Sequence, residues 1–513
     1  MTGNPSATDE SARTEARVAF ALAVVIAVGL VARAQVSLLP EFVAGDDGAY
    51  YLIQVRAILR EGRLALPDLP LLFYTQAAVA GLLSLVVDQP TAIVAAVRWT
   101  DTIVPVVLAV PVYLFVRAFR RGTGCTGPVL AMVFAGLVAT VSGNSLLMAG
   151  GTIKNAAALP FSLLFIFYLY RSLRDGGRRS LAPAVAFFLV SSLTHVSALA
   201  LNGTVATLLV AAALAAPAVR ARVLRSALVL LAVLAGVVGV LLAIDPDHAW
   251  RLLGVLAHPG RFVEGSLLTL WLRGAPHLPV EELVTSEEVW LGNGLGLLGL
   301  YALWRHRADT DGATRAILWA TTLTTLLFSS PLLAPDLLER LALVAYVPGL
   351  VPLAFLLCRD ASAVAVVAPM TALVVLAGAL AVKTAQVTAL VRPAYEELVR
   401  LKAALPRGRN IVITRHGLEW WMVWTMDVHF SNWASRAIAD REAYDAVLLL
   451  DEVGPSAFGR QVVRSARATP GAAVFDGDLL RSEPITTLAE GVYFRLSRVG
   501  EPDVPEPEGR PRS

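Results

Sequence analysis

The sequence has 513 residues, of which 56% are hydrophobic and 16% are charged, and its mean hydropathy is +0.64. These values exclude an ordinary soluble globular protein and indicate an integral membrane protein. The 43 Lys and Arg residues nearly balance the 40 Asp and Glu residues, which leaves a formal net charge of +3. Because no basic tract alternates with aromatic residues, a nucleic-acid partner is also excluded.

Eleven apolar segments are long enough to cross a bilayer, since a spanning helix needs about 20 residues. A polar N-terminal tail, 1–17, precedes the first segment, which we predict to be a retained helix because no signal-peptide cleavage pattern follows it. The sequence therefore predicts an all-α polytopic membrane domain over residues 18–385. The predicted spans are 18–40, 92–117, 126–142, 153–170, 181–200, 203–219, 226–244, 288–304, 315–333, 337–357 and 362–385.

Arginine residues are concentrated in alternate connections between these spans. The positive-inside rule places such connections in the cytoplasm. Five connections agree, so we predict a cytoplasmic N-terminus and an extracytoplasmic C-terminal domain in the cytoplasmic membrane. The arginine-rich connections contain Arg117 to Arg121, Arg171 to Arg179, Arg220 to Arg225, Arg305 to Arg315, and Arg359.

Two predicted outer connections are long, 41–91 and 245–287, and the first contains the clearest motif. Asp46 and Asp47 precede a helix-periodic apolar pattern that ends at Gly62. This pattern predicts an amphipathic helix on the outer membrane surface. A carboxylate at its start can act as a general base or a metal ligand, although an Asp before a helix is also a common N-cap. The connection 245–287 is predicted to be a substrate-facing loop.

Further polar residues lie near the outer ends of predicted spans. Lys154 follows two glycines in the second outer loop, where it can hold a carrier phosphate or extend into the lipid headgroups. Arg98 and Asp101 are one helical turn apart and are predicted to pair with each other. His195 lies within a predicted span, where a hydrogen bond to a neighbouring helix is the expected role and ligand binding is the alternative.

The first outer loop resembles the polytopic glycosyltransferases of the GT-C superfamily. The resemblance rests on acidic residues after the first span, an Asp-x-x-x-Tyr pattern that opens a surface helix, the glycine that ends this helix, and a following Pro-Leu-Leu. Members of this superfamily take sugars from polyprenyl-phosphate or polyprenyl-diphosphate carriers. The resemblance therefore implies that Asp46 or Asp47 is the catalytic base or a metal ligand, and that a lipid-linked sugar is the donor.

The same resemblance assigns a role to Arg340, which enters a late span beside Glu339. In many GT-C sequences an arginine at this position binds the donor phosphate, and a guanidinium suits that task because it makes two contacts with phosphate oxygens. A surface pair of Arg340 with Glu339 or with Asp336 is the alternative. Candidates for substrate contact are Tyr50, Tyr51, Arg98, His195 and Glu339. The sequence assigns no cofactor with certainty, and a divalent metal, Mg²⁺ or Mn²⁺, held by Asp46 or Asp47 stays an open alternative.

Residues 386–498 have an ordinary composition and are predicted to form a small extracytoplasmic α/β domain. The tail 499–513 is rich in Pro, Glu and Arg and is predicted to be disordered. Trp420 and Trp421 resemble the acceptor-site motif of oligosaccharyltransferase catalytic subunits, but the Asp-Tyr-Gly expected after them is missing. Packing of an aromatic helix face on the domain core is therefore the favoured interpretation. The predicted elements are a helix at 395–405 and strands at 410–414, 446–450 and 492–496.

These features together predict an inverting GT-C-type glycosyltransferase on the outer face of the cytoplasmic membrane. It would use a polyprenyl-phosphate-linked sugar, a glycan, lipid or protein acceptor, and the surrounding membrane lipids. A transporter or flippase of a lipid-linked or anionic substrate is the alternative, as are an oligosaccharyltransferase-like enzyme that acts on protein and a non-catalytic relative. Transporters usually place polar groups near the bilayer midplane, whereas the ionisable residues here lie at outer span ends.

Overall fold

The computed structural model of the chain describes residues 7–45, 47–120, 127–176, 178–214, 217–244, 246, 264, 266, 287–387, 390–454, 457–458 and 474–500. The chain forms two compact units. The membrane unit comprises Met1–Leu39 and Ile58–Lys383, and the C-terminal unit comprises Pro40–Ala57 and Thr384–Ser513. Residues 40–57 thus group with the C-terminal unit, whereas the sequence assigned them to an outer loop of the membrane domain. The predicted loop 245–287, apart from isolated positions, and the tail beyond residue 500 lie outside the described residues.

The described part of the membrane unit is helical. Its helices are α1 (Ala7–Ser37), α2 (Gly48–Glu61, which begins in the C-terminal unit), α3 (Leu71–Leu83), α4 (Gln89–Ile103), α5 (Ala109–Phe119), α6 (Gly127–Val141), α7 (Gly143–Leu147), α8 (Ile153–Asp175), α9 (Arg178–Thr194), α10 (Val196–Leu214), α11 (Pro217–Ile244), α12 (Glu287–Arg305), α13 (Gly312–Phe328), α14 (Pro335–Arg359) and α15 (Val364–Val387).

Within the described ranges, seven helical segments are long and apolar enough to cross a membrane. Three shorter apolar helices accompany them, at Leu71–Leu83, Arg179–Thr194 and Val196–Ala212. This confirms the predicted polytopic all-α membrane domain. The seven segments are Glu10–Ser37, Gln89–Phe119, Gly127–Leu147, Ile153–Asp175, Arg220–Val240, Leu337–Arg359 and Val364–Val382.

Two predicted spans are divided differently in the structure. The span at 92–117 consists of α4 and α5 joined by a 3₁₀ turn at Pro105–Leu108, since proline lacks the N–H that a continuous helix needs. The break predicted at 201–202 occurs instead at His195, because its imidazole Nδ1 accepts a hydrogen bond from the Ser197 backbone N–H and caps α10. Elsewhere each predicted span overlaps a helix, although α1 begins at Ala7 and α11 at Pro217, well before the predicted starts at 18 and 226.

The apolar stripe predicted for α2 is present, but it is covered by protein and not by lipid, since Tyr51, Leu52 and Val55 are each no more than 1% exposed. Helical periodicity predicts the helix but not its surroundings, because an apolar stripe that packs on protein has the same pattern as one that lies in lipid.

The C-terminal unit is a small α/β domain, as the sequence predicts. A five-stranded sheet has the order β2-β1-β3-β5-β4, in which β1, β2 and β3 are parallel and β4 and β5 are antiparallel to their neighbours. Two of these strands, β2 and β4, are absent from the sequence prediction because they are short or largely exposed. The elements are α16 (Arg392–Leu401), β1 (Asn410–Ile413), α17 (Leu418–Met426), β2 (His429–Ser431), α18 (Ala434–Ala439), β3 (Ala446–Glu452), β4 (Ile485–Glu490) and β5 (Phe494–Val499).

The core of this unit lies on both faces of the parallel strands. All four residues of β1 are buried, which is typical of a parallel strand that is covered on both sides. On one face Ile411 and Ile413 pack with Val447 and Leu449 of β3 and with small residues of α18. The parallel strands end at one edge of the sheet, and α17 begins a few residues beyond the end of β1.

Candidate functional site

The first outer loop is anchored to the C-terminal unit by charge and by aromatic packing. Glu41 forms an ion pair with Arg392, the first residue of α16. The Phe42 ring lies 4.7 Å from the Tyr395 ring and 5.5 Å from the Trp421 ring, measured between centroids. Trp421 itself is 1% exposed, so it is a core residue, as the sequence analysis favoured. These contacts fix the chain just before the acidic pair.

Asp47 is held at the N-terminus of α2 by a tryptophan from a distant part of the sequence. The indole Nε1–H of Trp420 donates a hydrogen bond to Asp47 Oδ1 over 3.0 Å. Both side chains are partly exposed. A hydrogen bond to one carboxylate oxygen orients the group without burying it, which suits a base that must meet a substrate hydroxyl. Asp46 lies outside the described residues.

The turn that carries Asp47 is tightly packed. A Cβ atom at Gly48 would lie 2.7 Å from the backbone carbonyl oxygen of Val43. That distance is shorter than real Cβ contacts, so only glycine fits without movement of the backbone. Gly48 therefore sets the path of the chain directly beside the acid.

Of the two tyrosines singled out from the sequence, one adjoins Asp47 and the other is a core residue. The Tyr50 ring lies 4.9 Å from the Trp420 ring, and its hydroxyl accepts a hydrogen bond of 2.9 Å from Gln54 Nε2. Tyr51 is 1% exposed. Tyr50 thus supports the tryptophan that binds Asp47, whereas Tyr51 packs in the interior.

Arg56, one turn before the end of α2, binds the C-terminal end of α17. Its guanidinium donates to the carbonyl oxygens of Val423 and Trp424 over 3.0 and 2.9 Å. It also lies 3.3 Å from a carboxylate oxygen of Asp427, and its Cζ is 4.9 Å from the centroid of the Trp424 ring. A cation at this end of a helix is favourable because the last carbonyls carry partial negative charge. The two helices are thus connected at both ends, by Asp47 and by Arg56.

Polar contacts fix the start of α17 and the residues that precede it. Glu419 is fully buried, and its Oε1 lies 2.7 Å from His416 Nδ1 and 3.1 Å from Asn432 Nδ2. Arg415 pairs with Glu452 at the end of β3 over 2.6 Å. These residues follow the carboxyl ends of the parallel strands, where α/β sheets generally bind ligands.

His429 marks the opposite, amino-terminal end of β2. Burial lowers the pKa of His429 from its ordinary value, and the nearby Arg409 guanidinium lowers it further. Arg409 Nε donates to His429 Nε2 over 3.1 Å, which requires the unprotonated form of that nitrogen. His429 is therefore a neutral structural residue near neutral pH.

In the membrane unit, Lys154 is paired with an acid that the sequence analysis did not single out. Its ammonium forms an ion pair with Asp68, and both side chains are mostly buried. The same ammonium lies 5.4 Å from the centroid of the Phe73 ring. Asp68 belongs to the first outer connection and lies 86 positions from Lys154 in sequence. Its carboxylate balances the positive charge of the Lys154 ammonium. Extension of Lys154 into lipid headgroups is not its arrangement here.

The predicted pair between Arg98 and Asp101 is wrong. Asp101 instead pairs with Arg33 of α1, with 2.6 Å between Arg33 Nη2 and Asp101 Oδ1 and almost complete burial of both side chains. Arg98 donates to the backbone carbonyls of Ser37 and Leu38 at the end of α1. Each charge finds a better partner on the neighbouring helix than on its own, because α1 provides a guanidinium at one position and terminal carbonyls at the other.

This buried network reaches the loop that precedes Lys154. Asp101 Oδ2 accepts hydrogen bonds from the Ser37 hydroxyl at 2.6 Å and from the Gly150 backbone N–H at 3.1 Å. Arg33 also donates to the carbonyl oxygen of Ser145. The carboxylate of Asp101 therefore joins α1, α4 and the glycine loop, and it fixes the backbone four residues before Lys154.

His195 lies between α9 and α10 and contacts Ser197 of α10. Its Nδ1 lies 2.8 Å from the Ser197 hydroxyl, which donates in turn to Asn155 Oδ1 over 2.6 Å. Since Ser197 N–H also donates to this nitrogen, the neutral imidazole carries its proton on Nε2. His195 thus reaches α8 through Ser197, and a direct hydrogen bond from His195 to a neighbouring helix stays a prediction.

Arg340 and Glu339 are both exposed near the start of α14. No ion pair joins Glu339 to Arg340 in the part of the chain that the structure describes, and the side chain of Asp336 lies outside that part. The backbone of this helix is tethered close by, since Asn144 Nδ2 donates to the Ala342 carbonyl oxygen over 3.1 Å. Arg340 therefore presents its guanidinium to the surroundings from a fixed helix.

Among the described residues, no group of three or more His, Cys, Asp or Glu side chains is arranged to hold a metal ion. The acids that the sequence proposed for Mg²⁺ or Mn²⁺ are Asp47 and Asp46, and the second of these lies outside the described residues.

Solved structures resemble the chain in fold, whereas comparisons of its sequence find no match. No family model and no curated protein sequence matches the chain. The structure of ArnT from Cupriavidus metallidurans bound to undecaprenyl phosphate superposes with a TM-score of 0.53 at 13% identity, over 93% of this chain and 97% of that one. The oligosaccharyltransferase of Archaeoglobus fulgidus, tethered with an acceptor peptide, superposes with a TM-score of 0.51 at 12% identity, over 84% and 69%. Both are GT-C glycosyltransferases.

The chain has a GT-C-like fold. ArnT without a ligand gives the same result, with a TM-score of 0.51 at 14% identity and the same coverage. The resemblance inferred from the first outer loop is thus confirmed at the level of the fold. Identity this low shows architecture and assigns no substrate, so the chemistry must be argued from the residues themselves.

Proposed function

We propose that this GT-C-like protein is a membrane glycosyltransferase that takes a sugar from a polyprenyl-phosphate-linked donor at the outer face of the cytoplasmic membrane. The observation that carries the proposal is the hydrogen bond from Trp420 to Asp47 at the head of α2, the position that the sequence resemblance assigns to the catalytic acid. The GT-C-like fold, including that of ArnT bound to undecaprenyl phosphate, supports it.

In this proposal Asp47 removes the proton from the acceptor hydroxyl as that oxygen attacks the anomeric carbon. The bond between the anomeric carbon and the carrier phosphate oxygen breaks in the same displacement. The carrier phosphate leaves with the bonding electron pair, so the configuration at carbon inverts. Asp47 is suited to this step because Trp420 fixes one of its oxygens and the side chain stays partly exposed.

The leaving phosphate needs cations, and the membrane unit offers two. Arg340 is exposed on the first turns of α14, and a guanidinium can hold two phosphate oxygens. Lys154 is paired with Asp68, so a phosphate would compete with that carboxylate for the ammonium. We assign donor-phosphate binding to these two side chains. If a divalent metal takes part, Asp47 and Asp46 are the acids that would hold it.

The test is release of free polyprenyl phosphate by the purified full-length protein from a panel of polyprenyl-phosphate and polyprenyl-diphosphate sugars, with glycan, lipid or peptide acceptors. We expect release with at least one donor, and a loss of about 10²–10⁴-fold in Asp47→Asn, the range of general-base contributions. A chelator arm decides whether a metal is needed. Donor binding without turnover under every condition would favour transport of a lipid-linked substrate instead.

A further inference from the structure

The C-terminal unit presents two aromatic rings to solvent as a stacked pair. Trp433, directly after β2, and Phe475 have ring centroids 4.7 Å apart and an interplanar angle of 19°. They are 50% and 51% exposed. In a parallel stack each ring covers one face of its partner, so the outer faces account for this exposure. We call this pair the aromatic platform.

The backbone on both sides of the aromatic platform is fixed by hydrogen bonds. Phe475 N–H donates to the Asn432 carbonyl oxygen over 2.9 Å, and Ala434 N–H donates to the Phe475 carbonyl oxygen over 3.2 Å. Asp476 has a φ of 50°, a left-handed conformation that is uncommon outside glycine, and its Oδ1 accepts from Ala434 N–H over 2.7 Å. These hydrogen bonds fix the backbone from which the two stacked rings extend.

A buried carboxylate orients Asn432, the residue that directly precedes the aromatic platform. Glu419, which is fully buried, accepts from Asn432, the residue before Trp433, and pairs with the exposed His416. Its second oxygen, Oε2, is buried and has no hydrogen-bond partner in the described part of the chain. Because this oxygen is buried, a ligand at the surface would meet Asn432 and His416, the side chains that contact Oε1, and not Oε2 itself. The same helix turn carries Trp420, which holds Asp47.

This combination matches the surface of a neutral sugar ring. A pyranose presents a face of C–H groups, which pack on aromatic rings, and a rim of hydroxyls that both donate and accept hydrogen bonds. A few fixed polar groups beside an apolar surface are the usual composition of such sites. The carboxylates of Glu419 and Asp476 disfavour an anionic ligand, and the flanking polar groups disfavour a lipid chain.

We propose that the aromatic platform, with Asn432 and His416, binds a neutral sugar ring of a glycan acceptor. The role of this glycan as acceptor rests on the proposed function, whereas the binding of a saccharide to the aromatic platform does not. The sequence position supports a link between this platform and Asp47. Glu419, which contacts Asn432, directly precedes Trp420, which binds Asp47, and both residues belong to α17. The acceptor would then be a carbohydrate chain that lies along the C-terminal unit and presents a hydroxyl to Asp47.

The experiment is saturation-transfer-difference NMR on the full-length protein in lipid nanodiscs. The probes are the methyl glycosides of glucose, mannose, galactose and arabinose and their linear trisaccharides. We expect saturation transfer from the protein to the C–H protons of at least one probe, which should bind with millimolar affinity. Trp433→Leu keeps apolar bulk but removes the aromatic face, and Phe475→Leu does the same on the other side. Each should weaken binding at least fivefold, while Trp433→Phe stays within threefold of the wild type.

Leu488→Ala is the matched control, because Leu488 is an exposed apolar residue of β4 in the same unit and lies outside the aromatic platform. It should leave binding unchanged. Absence of saturation transfer to every saccharide, or wild-type binding by Trp433→Leu, would overturn the proposal.

Failure of this proposal and failure of the proposed function give different results. Asp47→Asn should retain saccharide binding and lose sugar transfer. If a saccharide binds to the aromatic platform but no donor is ever consumed, the platform stands and the glycosyltransferase assignment fails. If transfer to a glycan proceeds with an unchanged acceptor KM in Trp433→Leu, the enzyme assignment stands and the platform proposal fails.

Discussion

Replacement of Trp420 by phenylalanine tests whether the hydrogen bond to Asp47 contributes to the reaction. The substitution removes the indole Nε1–H, which lies 3.0 Å from Asp47 Oδ1. It keeps an aromatic ring between Tyr50 and Phe430, each of which now lies 4.9 Å from the Trp420 ring. The perturbation is therefore confined as far as possible to one donor.

The expected loss follows from the strength of such a bond. A hydrogen bond between a neutral donor and a charged acceptor contributes about 1.5–3 kcal/mol, which corresponds to roughly 10–150-fold in rate if it is fully used in the transition state. Trp420 and Asp47 are partly exposed, so water can replace part of the interaction. We therefore expect the lower end, a fall in kcat of about tenfold, with the donor KM unchanged.

The assay is the initial rate of polyprenyl-phosphate release at saturating donor. Trp424→Phe is the control, since Trp424 lies on the same helix and its ring contact with Arg56 can be made by phenylalanine as well. It should change kcat less than twofold. Wild-type kcat in Trp420→Phe would refute the role of the hydrogen bond, and a loss as large as that of Asp47→Asn would show that the variant disrupts more than this bond.

Three further outcomes are expected. Arg33→Met should destabilise the protein by about 3–5 kcal/mol because it leaves Asp101 as an unpaired buried charge, and adding Asp101→Leu should restore most of the loss in thermal unfolding. Gly48→Ala should lower the transfer rate at least tenfold with little effect on donor binding, since its Cβ would displace the turn that carries Asp47; an unchanged rate would exclude this packing. Burial and, next, Arg409 lower the pKa of His429, so the folded state binds fewer protons than the unfolded state. The contribution of His429 to stability should therefore be complete above about pH 6.5 and be lost as the pH falls towards the lowered pKa. His429→Gln should flatten this pH dependence in unfolding experiments at pH 7.5 and 5.5.

The fold could be predicted from the sequence where local patterns are strong. Apolar length gave the spanning helices, and alternation of strands with helices gave the α/β character of the C-terminal unit. The break at His195 was misplaced because it depends on one side-chain cap inside an apolar run. The short strands β2 and β4 were missed because their residues are too few or too exposed to show a periodic pattern.

The candidate site was predictable only in part. Asp47 was found because it opens a helix directly after the first span. Its partner Trp420 is 373 residues away, and no pattern in a single sequence connects the two. The same reason applies to Asp68 with Lys154 and to Arg33 with Asp101, since the sequence reveals a charge at each position but not which charge on another helix it meets.

A side-by-side comparison of donor binding and donor turnover tests whether Asp47 is the base of a sugar transfer. Binding of a polyprenyl-phosphate sugar and release of polyprenyl phosphate are measured for the wild type and for Asp47→Asn in the same preparation. We expect equal donor affinity and a rate of release at least 100-fold lower in the variant. Equal rates of release in the two proteins would show that Asp47 is not the base.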